Sequence, residues 1–349
     1  MDIIEIDGNL IGSNQPCFII AEAGVNHNGQ LKMALQLVDA AVVAKVDAIK
    51  FQTFKTKAVI STAAPKAAYQ QRATGAEESQ LDMVRRLELS YDQFKTIKEY
   101  CDKQGILFLS TPFDHDSADF LNNLGVEAFK IPSGEVTNYP FLEHIACKGK
   151  PLIFSTGMSH LGEVDHALRV IYAAGNRKVI LLHCVSNYPA DPADTNLRAM
   201  QTMATAFGTP VGYSDHTLGI EVPLAAVALG ACVIEKHFTL DKNLPGPDHG
   251  ASLEPDELFT MVKGIRTVEA ALGNGRKEPA VSEANTSAVA RRSLVAAYDI
   301  PAATILTKQH IAIKRPGTGL PPSMREYLMG RRTRAIIPAD TLLTLDMFE

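Results

Sequence analysis

The chain is poor in cysteine, has no long apolar run and carries no excess of positive charge. Its five cysteines in 349 residues, Cys17, Cys101, Cys147, Cys184 and Cys232, form no C-x-x-C pair, and three sit inside apolar runs. They read as reduced core residues, not as a disulfide framework or a redox motif. No apolar stretch reaches the ~18 uninterrupted residues of a membrane span, and the start, Met1-Asp2-Ile3-Ile4-Glu5, lacks the basic flank of a secretory leader. A cytoplasmic protein that neither spans nor anchors to a membrane is expected. Lys and Arg number 34 against 39 Asp and Glu. They are scattered, apart from Arg291-Arg292 and Arg331-Arg332-Arg334, so no nucleic-acid partner is expected. A glycine-rich phosphate fingerprint is missing too: Ala23-Gly24-Val25-Asn26-His27-Asn28-Gly29 after the first strand does not fit G-x-G-x-x-G.

What is present is a rhythm. Short β-branched or aromatic runs recur at 18–22, 47–52, 106–111, 128–132, 152–156, 179–184, 211–214 and 232–237, separated by segments with helical apolar spacing such as Leu31-Ala34-Leu35-Val38. Alternating buried strands and amphipathic helices force parallel pairing, because each helix must carry the chain back before the next strand starts. Repeated around one sheet, this predicts a closed (β/α)8 TIM barrel of ~250 residues. Residues 3–11 read as a hairpin closing its bottom, and the long connection from Thr53 to Ser90 as a lid or substrate loop over its mouth. The domain plan is a barrel over 1–272, a linker over 273–290, and a small, mostly β module over 291–349 built on Ser293–Ala297, Ile305, Ile311–Ile313, Ala335–Ile337 and Leu342-Leu343. At about sixty residues that module is marginal alone and is expected to dock on the barrel or on another subunit.

In such a barrel the active site is assembled where strands end. The strand ends here carry Glu22, Lys50 and Gln52, Ser110-Thr111, Lys130 with Ser133 and Glu135, Ser155-Thr156, His183 with Ser186 and Tyr188, Ser214-Asp215-His216, and Glu235-Lys236-His237. Lys50 and Lys130 interrupt apolar runs, and a buried lysine is costly unless it meets an anion. With the hydroxyls of Thr111, Ser133, Ser155 and Ser214 they would satisfy a phosphate and a carboxylate together; ion pairing inside the barrel is the plainer alternative. His216 and His237 end neighbouring strands and so can converge on one cation, leaving positions open for substrate and water. His27 and His183 compete for that role. Glu22 and Glu135 are both candidates for proton transfer, and the residues alone do not separate them.

Taken in order, the motifs Ile20-Ala21-Glu22-Ala23-Gly24-Val25-Asn26-His27-Asn28-Gly29, Lys50-Phe51-Gln52-Thr53, Ser110-Thr111-Pro112-Phe113, Lys130-Ile131-Pro132-Ser133-Gly134-Glu135, Ser155-Thr156-Gly157-Met158, Gly212-Tyr213-Ser214-Asp215-His216-Thr217, Glu235-Lys236-His237-Phe238-Thr239 and Pro245-Gly246-Pro247-Asp248 resemble the sialic acid synthase family. Lys314-Arg315-Pro316-Gly317-Thr318-Gly319 is similar to the antifreeze-like (SAF, β-clip) C-terminal domain of the same enzymes. The resemblance implies condensation of phosphoenolpyruvate with the aldehyde of an N-acylated mannosamine-type sugar, giving a nine-carbon 2-keto acid and phosphate. It assigns phosphoenolpyruvate to Lys50, Thr111, Lys130, Ser133, Ser155, Ser186 and Ser214, a divalent metal (manganese first, then magnesium or cobalt) to His216 and His237, and the sugar to Glu22, Gln52, Tyr188 and Asp248. Arg315 would reach in from the second subunit of a domain-swapped homodimer.

Some members carry Asn where Ser186 stands, which leaves Ser186 and Asn187 open as the enolpyruvate contact. The loop carrying Tyr69-Gln70 and Thr74-Gly75-Ala76-Glu77-Glu78-Ser79 resembles bacterial members that include makers of legionaminic acid as well as sialic acid. N-acetylmannosamine, giving N-acetylneuraminic acid, is the acceptor expected first. The alternative is 2,4-diacetamido-2,4,6-trideoxymannose, giving N,N'-diacetyllegionaminic acid. N-acetylmannosamine 6-phosphate comes last, since no basic pocket beyond the enolpyruvate set stands out. A Schiff-base pyruvate aldolase using an embedded lysine is the rival chemistry.

Overall fold

The computed structural model describes residues 3–75 and 77–349. Met1 and Asp2 of the N-terminal reading, and Ala76 of the loop motif, lie outside the described residues. The chain divides into two compact units, Met1–Gly273 and Asn274–Glu349. Strands β1 (Ile4–Ile6) and β2 (Asn9–Ile11) form the expected antiparallel hairpin. Then come β3 (Phe18–Gly24), β4 (Ala48–Thr53), β5 (Leu107–Pro112), β6 (Phe129–Ile131), β7 (Leu152–Ser155), β8 (Val179–Cys184), β9 (Val211–Asp215) and β10 (Val233–His237). They form one parallel 8-stranded sheet in the order β5-β4-β3-β10-β9-β8-β7-β6, and β5 and β6, at its two ends, pack together to bring it nearly to closure. The unit is a TIM-like barrel, as the strand and helix rhythm predicts.

Side chains on a strand alternate between faces, so each barrel strand has an inward and an outward set. The outward set, including Ile19, Ile49, Phe51, Phe108, Phe129, Phe154, Leu181 and Ile234, packs under the helices. The inward set begins with Phe18, Ile20, Ala48, Leu109, Ala128, Ile153, Ile180, Leu182 and Val233. Ile4, Ile6 and Ile11 of the hairpin seal this layer from below. One pleat period further along the same strands, the inward positions are Glu22, Lys50, Thr111, Lys130, Ser155, Cys184 and Glu235. The fold therefore stacks a polar layer directly on an apolar one. Lys236 and Asp215 fall in the outward phase, where they form a fully buried ion pair at 2.5 Å, held also by the Thr217 carbonyl and hydroxyl.

The segment between β4 and the helix Tyr91–Gln104 is not a bare loop: it carries helices Thr56–Val59, Ala68–Thr74 and Gln80–Arg85. Its foot is fixed by Glu88, whose Oε2 accepts from the Thr56 amide at 2.9 Å and hydroxyl at 2.8 Å.

The second unit pairs β11 (Ser293–Ala296) antiparallel with β12 (Ile311–Lys314) and adds single bridges such as Ile300 with Ile337. Its core is Leu294, Ala296, Ile300, Leu306, Ile311, Leu328, Ile337, Leu343 and Phe348. Ile305 and Ile313, expected in the apolar pieces, are exposed, and Leu306 takes the inward place. The 273–290 stretch, read as a linker, contains a helix at Ala284–Ala290. Four cysteines are buried and free; Cys147 is exposed, which corrects its reading as a core residue, because it caps the helix Tyr139–Ala146 at the surface. No helix among the described residues is long and apolar enough to cross a membrane.

Candidate active site

The polar layer opens into a cavity of about 420 Å³ at the C-terminal ends of the strands. Glu22, Lys50, Gln52, Thr111, Lys130, Ser133, Ser155, Ser186, Tyr188, Ser214, His216, His237 and Asp248 all line it. Parallel register explains part of this convergence: His237, Glu22 and Lys50 sit side by side across β10, β3 and β4, and Gln52 lies beside Thr111. Gly24 completes the first strand's turn into the site. Its φ of +52° is left-handed backbone, and a Cβ there would stand 3.1 Å from Glu22 Oε1 and 3.2 Å from Gln52 Nε2. A side chain there would press on both partners of the Gln52 Nε2 to Glu22 Oε1 hydrogen bond, 3.0 Å long.

The lysines are not free. Lys50 Nζ lies 2.7 Å from Glu22 Oε2 and donates to Thr111 Oγ1 at 3.0 Å. Glu235 stands between the two ammonium groups, 3.7 Å from Lys50 and 3.4 Å from Lys130, and Ser214 Oγ donates to its Oε1 at 3.0 Å. All four charged groups are buried. Two lysines and two carboxylates cancel, which makes the layer tolerable without an anion. Burial pushes the Glu22 carboxyl up, against the pull of Lys50, and pushes the Lys130 ammonium down, against the pull of Glu235. Lys50, which faces both carboxylates, is held above its ordinary value despite its burial.

On the opposite wall, Gly157 N donates to Ser133 Oγ at 2.9 Å, and a Cβ on Gly157 would collide with Ser133 Oγ and Ser186 Oγ. Cys184 Sγ lies 3.7 Å from each of those hydroxyls and 3.8 Å from His216 Nδ1. Among the described residues, Ser155 Oγ is buried with no hydrogen-bond partner. Such an orphaned hydroxyl on a cavity wall is an anion or ligand contact in waiting.

His216 and His237 have ring centroids 5.3 Å apart. His216 Nδ1 is 2.7 Å from the Val185 carbonyl. A carbonyl only accepts, so Nδ1 carries the proton and the Nε2 lone pair is free. Burial, more than any neighbouring charge, holds His237 well below the usual imidazole value, and its Nδ1 has no partner among the described residues. Two such imidazoles fit a divalent cation. Among the described residues no three His, Cys, Asp or Glu side chains are gathered to hold one. The competitors drop out: His183 Nε2 is 2.7 Å from the Thr195 carbonyl, His27 Nδ1 accepts from the Gly29 amide, and neither lines the cavity.

Glu135 is not brought to the cavity. A tight 3-10 turn over Ser133–Glu135 rotates successive side chains by about a third of a circle, so Ser133 points in while Glu135 Oε2 accepts from Asn138 Nδ2 at 2.6 Å. Ser186 lines the cavity and Asn187 does not. Arg315 stands exposed in the second unit, directly after β12. Cys184 was missed, and Glu235 was named at its strand end without a role, although strand alternation places both: each lies two positions beyond an inward apolar residue, Leu182 and Val233. Tyr69, on the lid, was singled out only as part of a motif and also lines the cavity.

A β/α barrel that gathers a buried lysine–carboxylate layer, an orphaned hydroxyl and paired imidazoles at its strand ends has the architecture of a barrel enzyme. Residues 37–277 match the NeuB family and residues 291–349 match the SAF domain. The chain is 48% identical over 342 residues to the N,N'-diacetyllegionaminic acid synthase of Legionella pneumophila, covering 97% of this chain and 96% of that one. It is 50% identical over 315 residues to the synthase of the same name from Campylobacter jejuni, covering 90% and 94%. Among solved structures, the N-acetylneuraminic acid (sialic acid) synthetase of Leptospira borgpetersenii superposes with a TM-score of 0.72 at 39% identity, over 82% of this chain and 95% of that one. This protein belongs to the NeuB family, the sialic and legionaminic acid synthases, with a C-terminal SAF domain.

Proposed function

We propose that this enzyme condenses phosphoenolpyruvate with 2,4-diacetamido-2,4,6-trideoxymannose to give N,N'-diacetyllegionaminic acid and phosphate. N-acetylmannosamine, expected first from the sequence, gives way to this acceptor because the relatives sharing about half of the residues over nearly the whole chain are N,N'-diacetyllegionaminic acid synthases. The observation that carries the reading is the cavity lining. Among the described residues its lysines and arginines are Lys50 and Lys130, both already matched by carboxylates, while the lid side contributes Val59, Ile60, Met83, Val84 and Leu87. That wall suits a deoxygenated sugar end and itself offers a second phosphate no cation.

The charge pattern supplies a mechanism. The phosphate and carboxylate of phosphoenolpyruvate take the lysines, the Thr111, Ser133, Ser155 and Ser214 hydroxyls, and Ser186. A divalent cation held by His216 and His237, manganese foremost, would act as a Lewis acid on the acceptor's carbonyl oxygen. C3 of the enol attacks the aldehyde carbon, C2 becomes cationic, and water adds to C2. Phosphate then leaves with the bridging oxygen by carbon–oxygen cleavage. Glu22, whose carboxyl is pushed up by burial against the pull of Lys50 and which reaches Gln52 and Lys50, supplies or takes the proton at the acceptor oxygen. Gln52, Tyr188 and Asp248 orient the sugar. Arg315 of a second copy, in a domain-swapped dimer, completes the acceptor side.

The test is phosphate release and product mass with three acceptors at equal concentration. The diacetamido sugar is expected to give a kcat/KM at least tenfold above N-acetylmannosamine, with the 6-phosphate lowest. A preference for the 6-phosphate contradicts the reading. A Schiff-base aldolase would instead use free pyruvate and be trapped by borohydride on Lys50 or Lys130.

A further inference from the structure

Above the barrel mouth, helix Ala68–Thr74 of the lid carries Tyr69, whose ring stacks on Tyr188 with centroids 4.9 Å apart and 29° between planes. Tyr188 in turn lies 4.1 Å from the His216 ring and meets His237 edge-on at 5.5 Å. A continuous aromatic column thus runs from the lid to the two imidazoles.

Among the described residues the side-chain hydrogen bonds of this helix stay within the lid. Lys66 donates to Thr74 Oγ1 and to the Gly75 carbonyl, each at 3.0 Å, Gln71 donates to the Lys66 carbonyl, and Thr74 Oγ1 points to Met83 Sδ. Lys66 is buried and serves to tie off the helix end. The helix is therefore internally braced and is seated on the barrel through a ring contact. A stacked ring pair adds modestly to the area it buries, enough to bias a lid without locking it. Burial, with the charge of Asp248, keeps the Tyr69 phenol neutral, so the ring acts here as a surface and not as an acid.

We infer that Tyr69 is a positioning residue for the sugar acceptor. Its ring holds Tyr188 over His216 and closes the acceptor half of the cavity against bulk water, while the phosphoenolpyruvate half, made by the lysines and hydroxyls below, does not depend on it. The inference rests on the proposed condensation, but it makes a prediction that separates the two substrates.

Two measurements test it. In steady-state assays Tyr69→Ala is expected to raise the KM of the acceptor at least tenfold with the KM of phosphoenolpyruvate within twofold, and Tyr69→Phe, which keeps the ring, to stay within twofold on both. An equal rise in both KM values, or Phe no better than Ala, overturns it. The chain contains no tryptophan, so Tyr69→Trp places a single, selectively excitable tryptophan in the lid. Its emission is expected to shift on addition of the diacetamido sugar or N-acetylmannosamine and to stay unchanged with phosphoenolpyruvate alone; no response to either sugar overturns the inference. A wild-type enzyme that releases no phosphate with any acceptor sinks the proposed reaction instead, while the fluorescence still reports whether the ring senses the sugar.

Discussion

Replacing Glu235 by glutamine probes the charge balance of the barrel interior. The carboxylate lies 3.4 Å from Lys130 and 3.7 Å from Lys50, and all three side chains are buried. Glutamine keeps an acceptor for Ser214 Oγ and removes the charge. Breaking a buried ion pair costs about 3–5 kcal/mol because one ion is left uncompensated. Lys50 retains Glu22 at 2.7 Å, so the uncompensated ion is Lys130. Burial already lowers the Lys130 value and Glu235 opposes that shift, so the variant lowers it further. A lysine with a depressed folded value binds fewer protons folded than unfolded, so stability rises with pH as it deprotonates. The loss of thermal stability is therefore largest at low pH and shrinks as pH rises.

Substrate binding gives a second, sharper signature. At the low-pH end, where both lysines are charged, removing a negative charge from an anion site strengthens phosphoenolpyruvate binding. At higher pH, Lys130 loses its proton earlier than in the wild type and binding weakens first in the variant. The two profiles of phosphoenolpyruvate KM against pH must cross. Parallel profiles, with an unfolding midpoint unchanged at every pH, would refute the assigned charge balance.

Other variants separate individual roles. Glu22→Gln should lower kcat at least ~100-fold, the scale of general acid–base catalysis, whereas Glu135→Gln, outside the cavity, should stay within about threefold of wild type in the same phosphate-release assay. Gly24→Ala puts a Cβ on left-handed backbone beside Glu22; a loss of ~1–2 kcal/mol in denaturant unfolding and a raised acceptor KM are expected, and a neutral result contradicts the tight-turn argument. The Asp248 carboxyl is raised to about 6 by burial and by Glu22. Acceptor affinity measured calorimetrically without added metal should therefore improve as pH rises through 6, when the carboxylate forms to accept sugar hydroxyls, and lose that step in Asp248→Asn. Manganese titrated calorimetrically into His216→Ala or His237→Ala should bind at least ~10-fold more weakly than to wild type; unchanged binding removes the histidines from the metal site.

The barrel was legible because strand and helix periodicities are set by local geometry, and each strand in the structure lies within two residues of its expected position. The site residues were legible where polar groups interrupt an apolar run, as at Lys50 and Lys130. Glu235 hid beside Lys236 and His237, since three consecutive polar residues do not announce which face each one takes. Only the inward phase of β10 shows that Glu235 and His237 share the cavity while Lys236 belongs to a structural pair with Asp215. Glu135 misled for the opposite reason: its motif is contiguous with Ser133, but the 3-10 turn breaks the alternation on which the reading depended. The lid's helices escaped notice because they are short, and helices of one or two turns are held by their surroundings, not by their own propensity.

The central claim is that the charged interior layer binds phosphoenolpyruvate as a carbon nucleophile and expels phosphate by carbon–oxygen cleavage. Phosphoenolpyruvate labelled with oxygen-18 at the bridging position, turned over with the diacetamido acceptor and analysed by mass spectrometry, tests it directly. The label is predicted to appear wholly in the released phosphate. Label retained in the 2-keto acid, or turnover without phosphate release, would contradict the account.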